Sequence, residues 1–424
     1  MKRRQLLREL IREFNRRKVR YCILRNYEFL LDPREKPGFD LDVSIAEEDR
    51  QEAESVLHAH GFIRKPRQFS RRHQGYHSFS TEEMMNIGVD VQWDGVVWND
   101  IEYLGSSIYG RRRKQGWLFT LADEDALIMY LCHSLLGKRF FKEKYARLLR
   151  TLAAKRLDEC MITGHLSRIF HDERIGERLL ALVKRGSFGE LLRLRALLIG
   201  RFISWRNLPR FLMLSIRWLW EKKVPHAYPL IVLMGPDGAG KSTAVAGLQQ
   251  VLEKNRRPAA VVYLGRGRRN ILPIASAGKK VKRSLAARPL LIRKLIYSCA
   301  APLYTVDLLL RYVLNVWWKR RRRIVLADRY GTDIYLMPHL GSALRSALFT
   351  LFPRPALAFY LYNDPQVLYR RRRQQSVEEL QRQLALFGAM ASKLQAISVK
   401  ADTKERTMQL VASRTFRYLT LRGF

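Results

Sequence analysis

The chain has 424 residues, and its 78 lysines and arginines outweigh 39 aspartates and glutamates to give a formal net charge of +39. Apolar residues make up 47% of the chain and aromatic residues 11%, enough greasy surface to exclude a disordered polybasic tail. At roughly 150 residues per domain, the length predicts two or three domains with real cores.

The opening sequence MKRRQLLRELIREFNRR lacks an uninterrupted apolar core, so it reads as a helix over about residues 4–14 and not as a secretory signal. Leu6, Leu7, Leu10, Ile11 and Phe14 give that helix one apolar face. A strand over 19–24 follows, then a Pro-rich loop, a strand over 39–45, and an acidic-capped helix from Glu47 that stops before Gly61. Further strands are expected at 76–79 and 87–93, and helices dominate from Asp123 to about Trp220. The linker EKKVPHAY divides the chain near residue 225, ahead of the apolar strand PLIVLM. The second half reads strand, Gly-rich loop, helix over 243–253, strand over 259–264, helices, strand over 323–327, more helix, strand over 356–361, and a terminal helical region. That alternation predicts a parallel sheet with crossover helices. No internal repeat is visible.

The four cysteines, Cys22, Cys132, Cys160 and Cys299, stand singly, without a CxxC pair or a histidine at metal spacing. They read as small buried residues in a reducing cytoplasm. Two stretches deserve a membrane test. Residues 211–220 are too short to span a bilayer. Residues 295–318 are long enough but carry Pro302, Asp307 and Arg311, and the two charges sit four apart, where they can pair on one helix face. A core helix is the expectation, with peripheral membrane contact through the Trp/Arg-rich helices as the alternative.

The strongest motif is GPDGAGKST over 235–243, which satisfies GxxxxGK[ST] between a strand and a helix. Gly235, Gly238 and Gly240 permit turns that aim backbone N–H groups at a phosphate, and the helix N-terminus adds partial positive charge. Lys241 can bridge the β- and γ-phosphates of ATP, Ser242 can hold Mg2+, and Thr243 completes the motif. Asp328 ends the 323–327 strand, where a magnesium-side acid belongs, and Arg329 beside it can reach a phosphoryl group. Asn363, Asp364 and Pro365 precede four consecutive arginines, 370–373, of which only one or two can face a single ligand.

The loop, the DRY of 328–330 and YLYNDPQVLYRRRR from Tyr360 resemble the P-loop, DR[YFH] and lid-entry motifs of the thymidylate kinase superfamily, in the family's order. The resemblance covers about the last 200 residues. It implies ATP-dependent, Mg2+-assisted phosphoryl transfer to a nucleoside monophosphate such as dTMP, and by family likeness a dimer. It maps Asp237 onto the carboxylate that contacts the acceptor sugar, Arg329 onto the acceptor-phosphate arginine, and the lid arginines onto Arg371 and Arg373. The family's REPGG-like loop is replaced by residues 263–270, YLGRGRRN, and Tyr362 stands at its usual Asp. Another phosphorylated or sugar acceptor is therefore equally open, with Asp307, Tyr312 and Asp333 as residues that would read it.

In the first half, Asp40 and Asp42 alternate on the strand GFDLDVSI, so both point to one face, and Asp90 follows on IGVDVQW. Carboxylates so placed can share divalent metal ions. This pattern resembles the nucleotidyltransferase fold. More narrowly, ILRNYE, GFDLDVSI, VDVQWDG and LADEDALIMYLCHSLLGK resemble a group of uncharacterised bacterial nucleotidyltransferase-like proteins. The resemblance implies Asp40 and Asp42 as metal ligands and Asp90 as third ligand or base. The Gly-Ser opening that holds the triphosphate in well-studied members is replaced by Arg25-Asn26-Tyr27, and His133 reads as a structural residue.

The expected architecture is α/β throughout: a nucleotidyltransferase-like α+β domain over 1–150, a helical extension and linker over 151–225, and a P-loop thymidylate kinase-like domain with a parallel sheet and flanking helices over 226–424. The expected activity is that of a cytoplasmic kinase. The alternatives are a nucleotide-binding or membrane-recruited module without turnover, and a metal-dependent nucleotidyltransferase of glycan or nucleic-acid metabolism. Residues 226–424 carry 35 basic and 10 acidic side chains, more than ATP and one anionic acceptor require. No nucleic-acid motif accompanies the surplus, which leaves an anionic membrane, met at its inner face, as the first candidate partner.

Overall fold

The computed structural model describes every residue except 1, 36, 37, 39, 67–69, 139, 204, 206, 224–226, 266–270, 273–288 and 338; the side chains of 210, 218, 221–223 and 333 also lie outside the description. The chain divides into two units, residues 1–224 with 419–423 and residues 225–418 with 424. Both are α/β, with sheets flanked by helices.

The first unit is built on β1 (Tyr21–Arg25), β2 (Asp40–Ile45), β3 (Ile63–Arg64), β4 (His73–Ser80), β5 (Met85–Trp93), β8 (Arg113–Gln115) and β9 (Leu118–Thr120), with β6 (Val96–Trp98) and β7 (Ile101–Leu104) forming a separate hairpin. The sheet is mixed, in the order β3-β4-β5-β2-β1-β9-β8. Strands β2 and β5 run parallel, and their register sets Asp42 directly opposite Asp90. Alternation sorts the two faces. Tyr21, Ile23, Leu41, Val43, Val89 and Val91 join the core beneath the helices Arg3–Arg16 and Arg50–Ala59. Cys22 and Leu24 face the other way, into a core shared by the helices Asp123–Cys132, Glu143–Ala153, Glu159–Phe170 and Ile175–Arg185. The helix expected over 4–14 forms, as Arg3–Arg16, with Leu7, Leu10, Ile11 and Phe14 buried. Strands β6 to β9 were not expected; at three or four residues each they are too short for alternation to register.

The second unit carries a five-stranded sheet of β10 (Leu230–Met234), β11 (Ala259–Tyr263), β12 (Ile324–Asp328), β13 (Leu357–Tyr362) and β14 (Ile397–Lys400), in the order β11-β12-β10-β13-β14. Every neighbouring pair is parallel. Central β10 and β12 are buried along their whole length, as strands covered on both faces must be, and accordingly read as apolar runs, broken only by Asp328 at the end of β12. Edge strand β14 is short and half exposed, so its sequence passes for part of the terminal helical region. The chain lays β11 and β12 to one side of β10, then crosses to place β13 and β14 on the other. Ligands of open parallel sheets bind at the strands' carboxyl ends, where such a reversal opens a crevice. Cys22 and Cys132 are buried as expected, but Cys160 and Cys299 are exposed; each lies on the outer side of a helix whose other face feeds the core.

Candidate functional site

At the carboxyl end of β10 the chain turns through 235–240 into the helix Lys241–Lys254. Gly235, Gly238 and Gly240 have φ of +146°, +87° and +81°, a region that L side chains avoid. A Cβ on Gly235 would stand 2.1 Å from the Leu361 carbonyl oxygen, so the loop is seated against β13 with no room for a side chain. The helix start leaves its first N–H groups without intrahelical partners, at the positive end of its dipole. Together these features make an anion-receiving concavity.

Lys241, almost wholly buried, folds back over the loop, donates to the Pro236 carbonyl at 2.7 Å and stands 3.7 Å from Asp237 Oδ1. Ser242 Oγ donates to Asp328 Oδ2 at 2.6 Å. Asp328 reaches this point because it is the last residue of β12, in register with Leu233 of β10. Its other oxygen, Oδ1, is buried and has no hydrogen-bond partner among the described residues. A buried carboxylate oxygen left bare is costly and wants a cation or a donor. A hydroxyl oxygen beside an unsatisfied carboxylate is a hard-oxygen donor set of the kind that Mg2+ takes in phosphate sites.

Arg329 follows at φ +70°, a conformation costing a non-glycine residue on the order of 1–3 kcal/mol. Its backbone N–H donates to the Leu233 carbonyl at 3.2 Å, and its Nη2 donates to Asp237 Oδ1 at 2.5 Å. Asp237 therefore lies between Lys241 and Arg329. Tyr330 turns inward, packs on Phe352 at 5.7 Å between ring centroids and donates to the Pro353 carbonyl.

On the other side of the loop lies a cavity of about 360 Å3. Gly240 and Thr243 form one wall, and Asp402, Thr403 and Met408 face them. Arg371 closes one edge, donating to the Asp402 carbonyl at 2.9 Å. Asn363 holds that wall in place by donating to the Ala401 carbonyl at 2.7 Å, while Asp364 caps the helix Pro365–Arg371. Arg373 lies in the exposed turn after that helix, away from this cavity's walls. The 401–408 segment carries no motif, and only its position after β14 could have flagged it.

Two residues expected to read an acceptor do other work. Asp307 is fully buried, pairs with Arg311 at 3.0 Å, and accepts the backbone N–H groups of Ile271 and Leu272 at 2.7 and 2.8 Å. It fixes the backbone of the segment after β11. Tyr312 is buried and accepts from Arg320, whose Nε donates to the Tyr228 carbonyl just before β10. That is the amino end of the sheet, opposite the loop. The side chain of Asp333 and residues 266–270 of the YLGRGRRN segment lie outside the described residues.

In the first unit, Asp40, Asp42 and Asp90 line one cavity of about 250 Å3, together with Arg25, Lys138 and Lys142. Gly88, opposite Asp40 in the register, leaves room for that carboxylate: a Cβ there would stand 1.9 Å from Asp40 Oδ1. A bulge between Ile23 and Arg25 re-aims β1 so that Arg25 pairs with Asp42. Arg25 Nη2 donates to Asp42 Oδ1 at 2.7 Å and Asn26 Nδ2 donates to Oδ2 at 2.9 Å, so both oxygens are engaged. Burial opposes the charge on Arg25, but the Asp42 carboxylate outweighs it and raises the guanidinium's pKa. Its Nη1 lies 3.0 Å from His133 Nδ1, and burial, then the Arg25 charge, push the imidazole down to about 3. Burial, reinforced by Asp42 and Asp40, pushes Asp90 up to about 7.

Among the described residues, no three His, Cys, Asp or Glu side chains are gathered to hold one metal ion. The expected aspartates share a cavity but do not fit a metal as arranged, because a guanidinium and an amide occupy Asp42. Arg25 and Asn26, read in the sequence only as replacing a Gly-Ser opening, engage Asp42, a role that the sequence did not disclose. Lys138 and Lys142 carried no signal beyond their charge.

No protein-family model and no curated protein matches this chain.

Proposed function

We propose that residues 226–424 form a P-loop, thymidylate kinase-like domain that transfers the γ-phosphoryl group of ATP to a phosphorylated or sugar acceptor. The observation that carries this reading is the Ser242–Asp328 hydrogen bond, with bare Asp328 Oδ1 beside it, at the mouth of a GxxxxGK[ST] loop. Mg2+ held by Ser242 and Asp328 would neutralise phosphate charge there. The loop N–H groups and the helix start receive the β-phosphate, and Lys241 leaves the Pro236 carbonyl to reach the β- and γ-oxygens. The nucleoside then extends past Thr243 into the 360 Å3 cavity, with Arg371 at its edge. Arg329 exchanges part of its bond to Asp237 for the acceptor's anionic group, and Asp237 accepts from an acceptor hydroxyl. Catalysis is positioning plus electrostatic stabilisation of the transferring group.

ADP release against a panel of nucleoside monophosphates and sugar phosphates tests this reading. The expected result is release stimulated by one acceptor class, and a loss of roughly 100-fold or more in Lys241→Ala. Release that no acceptor stimulates, or that survives Lys241→Ala, overturns it.

The first unit supports a second, separate reading, a nucleotidyltransferase-like pocket. Three aspartates and three cations on one cavity favour it. In this reading Asp90 acts as a base, and Arg25, Lys138 and Lys142 receive phosphate. Nucleotide incorporation lost in Asp90→Asn but retained in Lys241→Ala would support it; incorporation unchanged in Asp90→Asn would end it.

A further inference from the structure

The helix Leu290–Arg311 and the π-helical turn Tyr312–Trp317 that continues it bury one face and leave the other uncovered by the described residues. Ala301, Thr305, Leu308, Tyr312 and Val316 are buried. Leu291 and Leu295 are 79% and 67% exposed, and Leu303, Val306, Leu310, Val313, Leu314 and Trp317 continue the exposed side at helical spacing. Between Lys294 and Lys319 the charged residues are Asp307 and Arg311, both buried and paired with each other. The outward face is therefore uncharged for 24 residues, about 36 Å at 1.5 Å per residue. Soluble surfaces rarely carry so long an apolar stripe without a partner.

Cations bracket that stripe. Arg293 and Lys294 stand at one end and KRRRR, 319–323, at the other. Arg321 lies over both Trp317 and Trp318, 4.8 and 4.4 Å from their ring centroids. No helix among the described residues is long and apolar enough to cross a membrane.

We propose that this face lies flat on an anionic lipid bilayer. Leucines and valines enter the acyl boundary, Trp317 and Trp318 sit at headgroup depth, and the two cationic ends meet lipid phosphates. A second copy of the chain fits less well, since its own face would bring another arginine run against this one. The proposal goes beyond the phosphoryl-transfer reading and does not depend on it.

Cosedimentation of the full chain with phosphatidylcholine vesicles, with and without phosphatidylglycerol, tests it at low and raised salt. The expected result is binding that requires phosphatidylglycerol and weakens with salt. Leu291→Glu with Leu295→Glu should lower partitioning by about tenfold or more. Arg321→Glu with Arg322→Glu should do the same while leaving the leucines and valines of the stripe in place, and an unchanged melting temperature shows that both variants are folded. Equal binding to both vesicle types, or folded variants that sediment like the parent, would overturn the proposal. So would an absence of vesicle binding combined with self-association that the leucine variants abolish.

Discussion

Ser242 Oγ and Asp328 Oδ2 stand 2.6 Å apart although 86 residues separate them in the chain. One lies in the first turn of the helix after β10 and the other ends β12, so the parallel pairing of those strands brings them together. The arrangement leaves Asp328 Oδ1 buried and bare, at an energetic cost to the fold.

That cost separates activity from stability. Asp328→Asn can still accept the Ser242 bond and removes a poorly satisfied buried charge. Its unfolding midpoint should match or exceed the parent's, while acceptor-dependent ADP release falls roughly 100-fold or more. Urea unfolding and turnover measured on the same preparation check both halves.

Asp237 and Arg329 are each about one-quarter exposed, so their ion pair contributes at most about 1 kcal/mol to the fold. Asp237→Asn and Arg329→Lys should both melt near the parent temperature. In steady-state kinetics the apparent KM for acceptor should rise in each, and that for ATP should move less. A double-mutant cycle should show coupling, because one residue aims the other.

Gly235→Ala should be severe. A Cβ 2.1 Å from the Leu361 carbonyl, at φ +146°, forces the loop away from β13. The expected loss is a few kcal/mol of stability, together with ATP affinity, read by thermal melts with and without ATP.

The first unit's acid–base pair titrates in opposite senses. Asp90 is raised from an ordinary carboxyl value to about 7, so its contribution to stability is full below about pH 4 and is lost as pH rises through 7. His133 is lowered to about 3, so its contribution holds above about pH 6.5 and is lost as pH falls. Between these limits the two slopes oppose, each at most about 1.4 kcal/mol per pH unit. Asp90→Asn should therefore be more stable than the parent at pH 8 and should lose stability more steeply below 6.5. Urea midpoints across pH in metal-free buffer measure both effects.

What the sequence discloses here is what local patterning carries. The 235–243 loop announces itself because its glycines, lysine and serine are consecutive, and Asp328 because it terminates an apolar run. Asp40, Asp42 and Asp90 come together as alternation on parallel neighbours predicts. The engagement of Asp42 was hidden, since it depends on a bulge at 23–25 that shifts Arg25 into register. Tyr312 was expected at the acceptor for a related reason: a helix sequence gives a residue's face but not which end of the sheet it meets, and Asp307 because it does not show that Arg311 and a backbone turn will engage the carboxylate. The 401–408 wall was invisible because β14 ahead of it is too short and too exposed to show a strand's pattern.

Gly88 owes its identity to a side chain on a neighbouring strand, since the space a Cβ would fill is held by the Asp40 carboxylate. The two positions are coupled: a larger residue at 88 would push the Asp40 carboxylate out of the place it holds in the cavity. Removing the Asp40 carboxylate would free the space that position 88 needs for a side chain.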